Sequence, residues 1–234
     1  RGDYWPLWME AIQKEISGLV LAGVWDEVPR SSVPHTHTVT PGHFVFKIKT
    51  EDGKFLKAKA RYVFGGHLSK EGLDYFETAA YVAMSKSVRM VASLAASHDW
   101  KICAWDIKQA FCKARCPHEV YMELPELPGG AAAYANCGKG RGSGFVARLN
   151  HMLYGQKDAG RLWQQELAKF LEDELGARCI TADRGVYQWR WKGHVMNMAV
   201  HVDDIVGTPS SEEIRAEFDR WIRAHWGDDD ITGG

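Results

Sequence analysis

The sequence predicts an α+β fold, and three observations carry that prediction. Some stretches repeat apolar residues at helical intervals, whereas others alternate with the period of a strand. The two kinds follow one another without the regular strand–helix–strand order of a parallel sheet. The composition is that of an ordinary globular chain, with 45% hydrophobic and 25% charged residues in 234. That length is room for one large domain or two small subdomains sharing a core.

The same arithmetic excludes several classes. Lys plus Arg number 29 against 30 Asp plus Glu, a net charge of −1, which excludes a uniformly basic coat but not a local basic patch. No apolar stretch approaches the roughly 20 residues of a membrane span. No charged-then-apolar leader opens the chain, so an intracellular, non-secreted protein with no membrane partner is expected. The 5 Cys are odd in number and lack framework spacing, as free thiols in a reducing compartment do. The 10 Trp are read as core packing. The chain opens on Arg1 rather than Met and reads as a fragment of something longer.

Taken in order, Pro6 to Val20 places Trp8, Met9, Ile12, Ile16, Leu19 and Val20 at helical spacing. Gly23 and Pro29 break the pattern, and Ser31 to Gly42 reads as a polar loop. From Phe44 the period becomes two, with Phe44, Phe46 and Ile48 alternating with Val45, Lys47 and Lys49. Glu51-Asp52-Gly53 supplies a turn and Lys54 to Phe64 the return arm of a β-hairpin. Ser85 to His98 is a helix with Val88, Val91, Ala92 and Ala95 on one face, and Lys101 to Ile107 is a strand. Residues 128–144 are a glycine-rich loop, an insertion or flexible tip. Arg161 to Leu175 is a helix with Leu162, Trp163, Leu167, Phe170 and Leu171 as its buried stripe. Val186 to Trp191 and His194 to Val206 are strand segments, and Glu212 to Ala224 is the last helix, burying Ile214, Phe218, Trp221 and Ile222.

Three constellations could carry chemistry. His201-Val202-Asp203-Asp204-Ile205-Val206-Gly207 sets adjacent carboxylates at a tight turn between two short apolar strands. Asp also suits turn backbones for innocent reasons. In Ala104-Trp105-Asp106-Ile107, an Asp interrupts a half-buried strand, where a carboxylate is costly unless paired or metal-bound. The other reading is that Asp106 caps a helix starting near Lys108. Were Asp106 and Asp203 to meet in an antiparallel sheet, their repulsion would demand a divalent cation, and hard oxygen ligands suit Mg²⁺. Two such ions can activate a hydroxyl and stabilise a leaving pyrophosphate. Finally, Lys57, Lys59 and Arg61 alternate with small or aromatic residues, so they share a strand face to which Lys47 and Lys49 add. That face is either a phosphate grip or a solvated surface. Gly138 to Gly142 lacks the Ser or Thr of a phosphate loop, and Cys112 to Cys116 lacks a second ligand pair for zinc.

In their order along nearly the whole chain, these segments resemble the reverse transcriptase domain of Ty1/copia-type LTR retrotransposon polyproteins. The resemblance rests on Phe44 to Lys49 with Lys59 to Val63, on Glu71 to Tyr75 with Glu77-Thr78, and on Trp105 to Phe111. Tyr121 to Pro125, Leu153 to Trp163 and the aspartate pair complete it. It implies the fingers and palm of a right-hand polymerase, an antiparallel palm sheet backed by helices, with the thumb absent. Residues 1–100 would be the N-terminal helix and fingers, and 101–234 mainly palm.

The resemblance further implies roles. Asp106, Asp203 and Asp204 are the expected catalytic and metal-binding carboxylates, with two Mg²⁺ ions or Mn²⁺ as substitute. Lys59, Arg61, Phe111 and Gln156 are the expected dNTP contacts, Phe111 excluding a 2′-hydroxyl by bulk. Expected partners are an RNA template, a DNA or tRNA primer, dNTPs, and integrase and RNase H segments of a Pol polyprotein. The expected setting is a cytoplasmic virus-like particle or the nucleus. The chain also departs from the family. His201 stands where Tyr is usual, His67 replaces an aromatic, and Ala79-Ala80-Tyr81-Val82 replaces Phe-Ala-Pro-Val. Gln156-Lys157-Asp158-Ala159-Gly160-Arg161 replaces Leu-Lys-Gln-Ala-Pro-Arg, and Asp158 is expected to bring negative charge towards phosphates. These departures keep open a second reading, a decayed, non-catalytic domain with residual nucleic-acid binding.

Overall fold

A computed structural model of the chain describes residues 5–72, 75, 77–134 and 136–234. Leu73 and Asp74 of the 71–75 motif lie outside the described residues. The elements begin with helix α1 (Trp5–Leu21) and strands β1 (Trp25–Pro29), β2 (Val39–Thr40), β3 (Gly42–Glu51) and β4 (Lys54–Phe64). Helix α2 (Ser85–His98) is followed by β5 (Cys103–Ile107), β6 (Tyr121–Met122) and β7 (Phe145–Leu149). Next come α3 (Ala159–Lys169), β8 (Arg178–Ile180), β9 (Asp183–Trp191), β10 (His194–His201) and β11 (Asp204–Pro209). Helix α4 (Glu212–Trp226) and β12 (Ile231–Gly233) close the chain. The mixed α+β class is as the sequence predicts.

The chain forms two compact units that interleave along the sequence: 1–78 with 111–159, and 79–110 with 160–234. A single cut near residue 100 does not trace them, because the segment after β5 returns to pair with the first strands. In the first unit β1, β7, β6 and β2 make a sheet of 4 strands, and β3 with β4 makes a separate hairpin. Helix α1 covers β4 with Ile12, Ile16 and Leu19, which join Tyr62, Phe64, Met122, Leu124 and Leu153 in one core cluster. The stretch expected as loop from Ser31 to Gly42 includes β2, which pairs parallel with β6.

The second unit is built on a sheet of 6 strands in the order β12-β5-β11-β10-β9-β8, every neighbouring pair antiparallel. Helices α2 and α4 pack on β10 and β11. Helix α2 has the expected bounds, but its inward face is Ser87, Val91 and Ala95, whereas Ala92 is exposed. Ala92 follows Val91 by about 100° of helical turn, enough to carry it off the buried stripe. Helix α3 widens into a π-helical turn over Phe170–Glu174, with Phe170 and Leu171 buried. The apolar segments flanking the aspartate pair fold back on one another as β10 and β11, as expected, with Val202 and Asp203 as the turn.

Candidate active site

The carboxylates lie in the second unit. Strand β11 pairs with β5 so that Asp204 stands opposite Asp106, and with β10 so that His201 stands opposite Asp204. On its other side Asp106 faces Thr232 of β12. Cross-strand partners project to the same face, so His201, Asp204, Asp106 and Thr232 form one row across four strands. Thr232 Oγ1 donates to Asp106 Oδ1 at 3.4 Å. Asp106 therefore sits in the body of a strand, ahead of a short 3₁₀ turn at Ala110–Lys113, and the helix-cap alternative falls away. Asp203 stands beside the row, and its carbonyl accepts from the Ile107 N–H at 3.0 Å.

The row is electrostatically uncomfortable. Asp204 keeps an exposed side chain, yet partial desolvation, then the charges of Asp203 and Asp106, push its carboxyl above the usual range, with His201 pulling the other way. Among the described residues no three His, Cys, Asp or Glu side chains converge as a ready metal cage. The donor chemistry nonetheless fits a hard divalent cation: three carboxylates that repel one another and no thiolate among them. The cysteines elsewhere do not compete for that role, since burial pushes the Cys112 thiol up to about 12 and raises that of Cys116.

The cations lie in the first unit. The hairpin register sets Arg61 opposite Val45, Lys59 opposite Lys47 and Lys57 opposite Lys49, so the five cations share a face as the alternation predicts. Desolvation, then Arg61 and Lys49, lower the Lys59 ammonium below its ordinary value. Arg61 lays its guanidinium over the Tyr154 ring, 4.9 Å from the centroid, and Phe111 meets the same ring edge-on at 5.6 Å. The buried Nε of Arg61 has no hydrogen-bond partner among the described residues. Tyr154 thus ties two expected nucleotide contacts together. It lies in the Leu153 to Trp163 motif, but no periodicity marks it as their link. Gly155 makes the approach possible: its φ is +94°, and a Cβ there would strike the Phe64 carbonyl.

Two expectations in the 156–158 segment change. Gln156 is 8% exposed, its Oε1 accepting from the Leu153 N–H at 2.6 Å and its Nε2 donating to Cys116 Sγ at 3.8 Å. Both ends of the amide are therefore occupied inside the first unit, holding the 153–156 turn. Asp158 is 0% exposed and faces His118 Nε2 at 3.4 Å, an ion pair when the imidazole is protonated. The charge expected towards phosphates is instead sequestered, because a buried carboxylate is tolerable only beside a partner. A cavity of about 550 Å³ is lined by Arg115, His118, Arg148 and His151 among others, and none of the expected site residues lines it.

A further acidic residue is missed by the periodicity. Glu15 lies between Ile12, Ile16 and Leu19 on the inward stripe of α1 and is 8% exposed, and its Oε1 accepts from the Tyr62 N–H at 3.0 Å. The signal is there in the spacing: a carboxylate within an apolar stripe at positions 12, 15, 16 and 19 is out of place without a partner.

Comparison with known proteins joins these observations. Residues 23–232 match the family model described as reverse transcriptase (RNA-dependent DNA polymerase). The retrovirus-related Pol polyprotein from transposon RE2 of Arabidopsis thaliana is 33% identical over 202 residues, 86% of this chain and 13% of that protein. The corresponding polyprotein from transposon RE1 of the same plant is 32% identical over 86% of this chain. That from transposon TNT 1-94 of Nicotiana tabacum is 31% identical over 85% of it. The chain spans 13% or 14% of the length of these relatives.

Proposed function

The chain belongs to the reverse transcriptase (RNA-dependent DNA polymerase) family, as its Ty1/copia-type motifs implied, and we propose that it catalyses RNA-templated DNA synthesis as the fingers and palm of a Pol polyprotein. The observation that carries this reading is the register of the second unit's sheet, which sets Asp204 opposite Asp106 and Asp203 at the adjoining turn. Asp106 and Asp203, with Asp204 at the edge, would hold two Mg²⁺ ions. Bound there, such ions lower the pKa of a hydroxyl and neutralise charge on a leaving pyrophosphate.

The chain's own residues do the rest. Lys59 and Arg61 grip the triphosphate of the incoming dNTP, and the strand face that the two cations share supports that use. Tyr154 holds the Arg61 plane and braces Phe111, whose bulk excludes a 2′-hydroxyl. Gln156 serves from within, by keeping that turn in shape. The primer 3′-hydroxyl then attacks the α-phosphate in line, positioning and charge neutralisation supplying most of the rate. Template, primer and the remaining polyprotein segments are partners of this reading.

The test is primer extension on an RNA template with Mg²⁺ or Mn²⁺, the parent beside Asp106→Asn and Asp203→Asn. Extension by the parent alone is the expected result, and equal extension by the variants would sink the carboxylate assignment. A second reading, a decayed domain with residual nucleic-acid binding, is favoured by the lack of a ready cage among the described residues. It predicts no extension by any of the three, with template–primer binding retained.

A further inference from the structure

We propose that Trp163 is a positioning residue for the turn that carries Asp203. The proposal rests on the polymerase function proposed for this chain, in which Asp203 acts at the reacting centre. The hairpin between β10 and β11 closes with two residues, Val202 and Asp203. Val202 has φ +58° while Asp203 has no positive φ, the pattern of a II′ turn with its first central residue in the left-handed region. Glycine is preferred there, and a β-branched side chain adopts that conformation only under strain. Such turns differ from their neighbours in conformational space chiefly by a flip of the central peptide. Whatever holds that peptide therefore decides where Asp203 points.

The oxygen of that peptide is the Val202 carbonyl, and it accepts from the Trp163 indole Nε1 at 2.7 Å. Trp163 is 1% exposed, so its N–H has no recourse to water and must find an acceptor within the protein. Its ring is seated against Trp226 at 5.2 Å, and Trp226 against Phe170 at 6.1 Å. The donor therefore comes from a packed aromatic cluster rather than a loose side chain. On the other side of Asp203, its own carbonyl accepts from the Ile107 N–H at 3.0 Å. Both peptides flanking Asp203 are held, one by Trp163 from α3 and one by the strand that carries Asp106. The backbone strain at Val202 persists because these two bonds oppose its release.

Trp163→Phe keeps an aromatic ring and removes the donor. Site-specific β-(3-benzothienyl)alanine at 163 keeps the bicyclic shape as well, and decides the matter should the Phe variant fail to fold. Three quantities are read on the folded variant: Mn²⁺ affinity, the kcat and dNTP KM of primer extension, and hydrogen exchange of the Ile107 amide. The expected result is Mn²⁺ binding weakened by about tenfold, as outer partners of metal ligands commonly show. A similar fall in kcat with little change in dNTP KM should accompany it. The Ile107 amide should exchange about tenfold faster while amides in the middle of β9 and β10 keep the parent's rates.

Unchanged Mn²⁺ affinity, kcat and Ile107 exchange would overturn the proposal. So would faster exchange spread evenly over the sheet, which a merely structural tryptophan produces. If the parent itself binds no Mn²⁺ and extends no primer, the functional reading fails, yet the Ile107 amide still decides whether Trp163 holds the turn.

Discussion

Two regions of this chain do the same improbable thing with opposite charges. The hairpin of the first unit sets Lys47 against Lys59 and Lys49 against Lys57, and the sheet of the second sets Asp204 against Asp106. Like charges directly across antiparallel strands cost about 0.2–1 kcal/mol each relative to neutral pairs. The consequences differ with the side chains. Lysines are long and mostly exposed here, so they splay into water and salt screens them. Aspartates have one methylene and inherit the spacing of the backbone, so repulsion from Asp203 and Asp106 adds to partial desolvation in raising the Asp204 carboxyl. Each region also holds a titratable group of the opposite kind: Glu15 beside Lys59 and Arg61, and His201 beside Asp204.

The sharpest way to break this comparison is to remove a charge from the rigid row. Asp106→Asn or Asp203→Asn should lower metal-dependent extension by roughly a thousandfold or more, since a lost metal contact is worth several kcal/mol and about 1.36 kcal/mol is tenfold. The melting temperature should hold or rise, because repulsion is relieved. A variant that loses activity together with its fold would mean that the row is structural. On the flexible face, Arg61→Ala should raise the dNTP KM by about 10- to 100-fold, the worth of a charge-assisted hydrogen bond. Lys49→Ala, at an exposed position, should change it by no more than about threefold. Equal effects of the two would deny that Arg61 is distinguished by its seat on Tyr154.

Phe111 tests the apolar side of the same seat. Phe111→Ala should lower discrimination against ribonucleotides by about 10- to 100-fold, the range that shape alone achieves in apolar pockets. Deoxynucleotide kinetics with unchanged sugar selection would remove Phe111 from the gate. Tyr154→Phe, which keeps the ring that both Arg61 and Phe111 contact, should leave that selection intact.

Much of this architecture is legible in the amino-acid sequence because it follows local periodicity. The hairpin face of Lys57, Lys59 and Arg61 follows from alternation alone, and α2 follows from helical spacing bounded by Ser85 and His98. The aspartate turn is legible because two apolar runs flank it. What escapes depends on partners distant in sequence. Strand β12 has three residues and exists only by pairing with β5. The burial of Asp158 needs His118, about 40 positions earlier, and neither residue shows the other by spacing. Gln156 is expected as a nucleotide contact only through the family resemblance of its motif. Its bond to the Leu153 N–H is a turn feature, invisible without the turn's geometry.

The smallest predicted effect bears on whether the hairpin's charge is cancelled from within. Burial, set against the Tyr62 hydrogen bond and the charges of Lys59 and Arg61, raises the Glu15 carboxyl above its usual 4.5. A carboxyl raised in the folded state binds more protons folded than unfolded in the window just above 4.5. Its contribution to stability is then fully present below that window and declines as pH rises through the folded value. Glu15→Gln still accepts from the Tyr62 N–H but has no proton to lose, so its stability should stay flat where the parent's falls. Denaturant unfolding at about pH 4.5 and 7.5 should show the variant gaining on the parent by up to about 1 kcal/mol at the higher pH. Glu15→Ala should instead cost about 1–3 kcal/mol at both, since the buried Tyr62 N–H is left unpaired. If Glu15→Gln loses ground as pH rises, the carboxylate is held charged by Lys59 and Arg61, and the hairpin carries its own neutraliser. If it gains, the folded state holds the carboxylate ionised at a net cost that the charges of Lys59 and Arg61 do not offset.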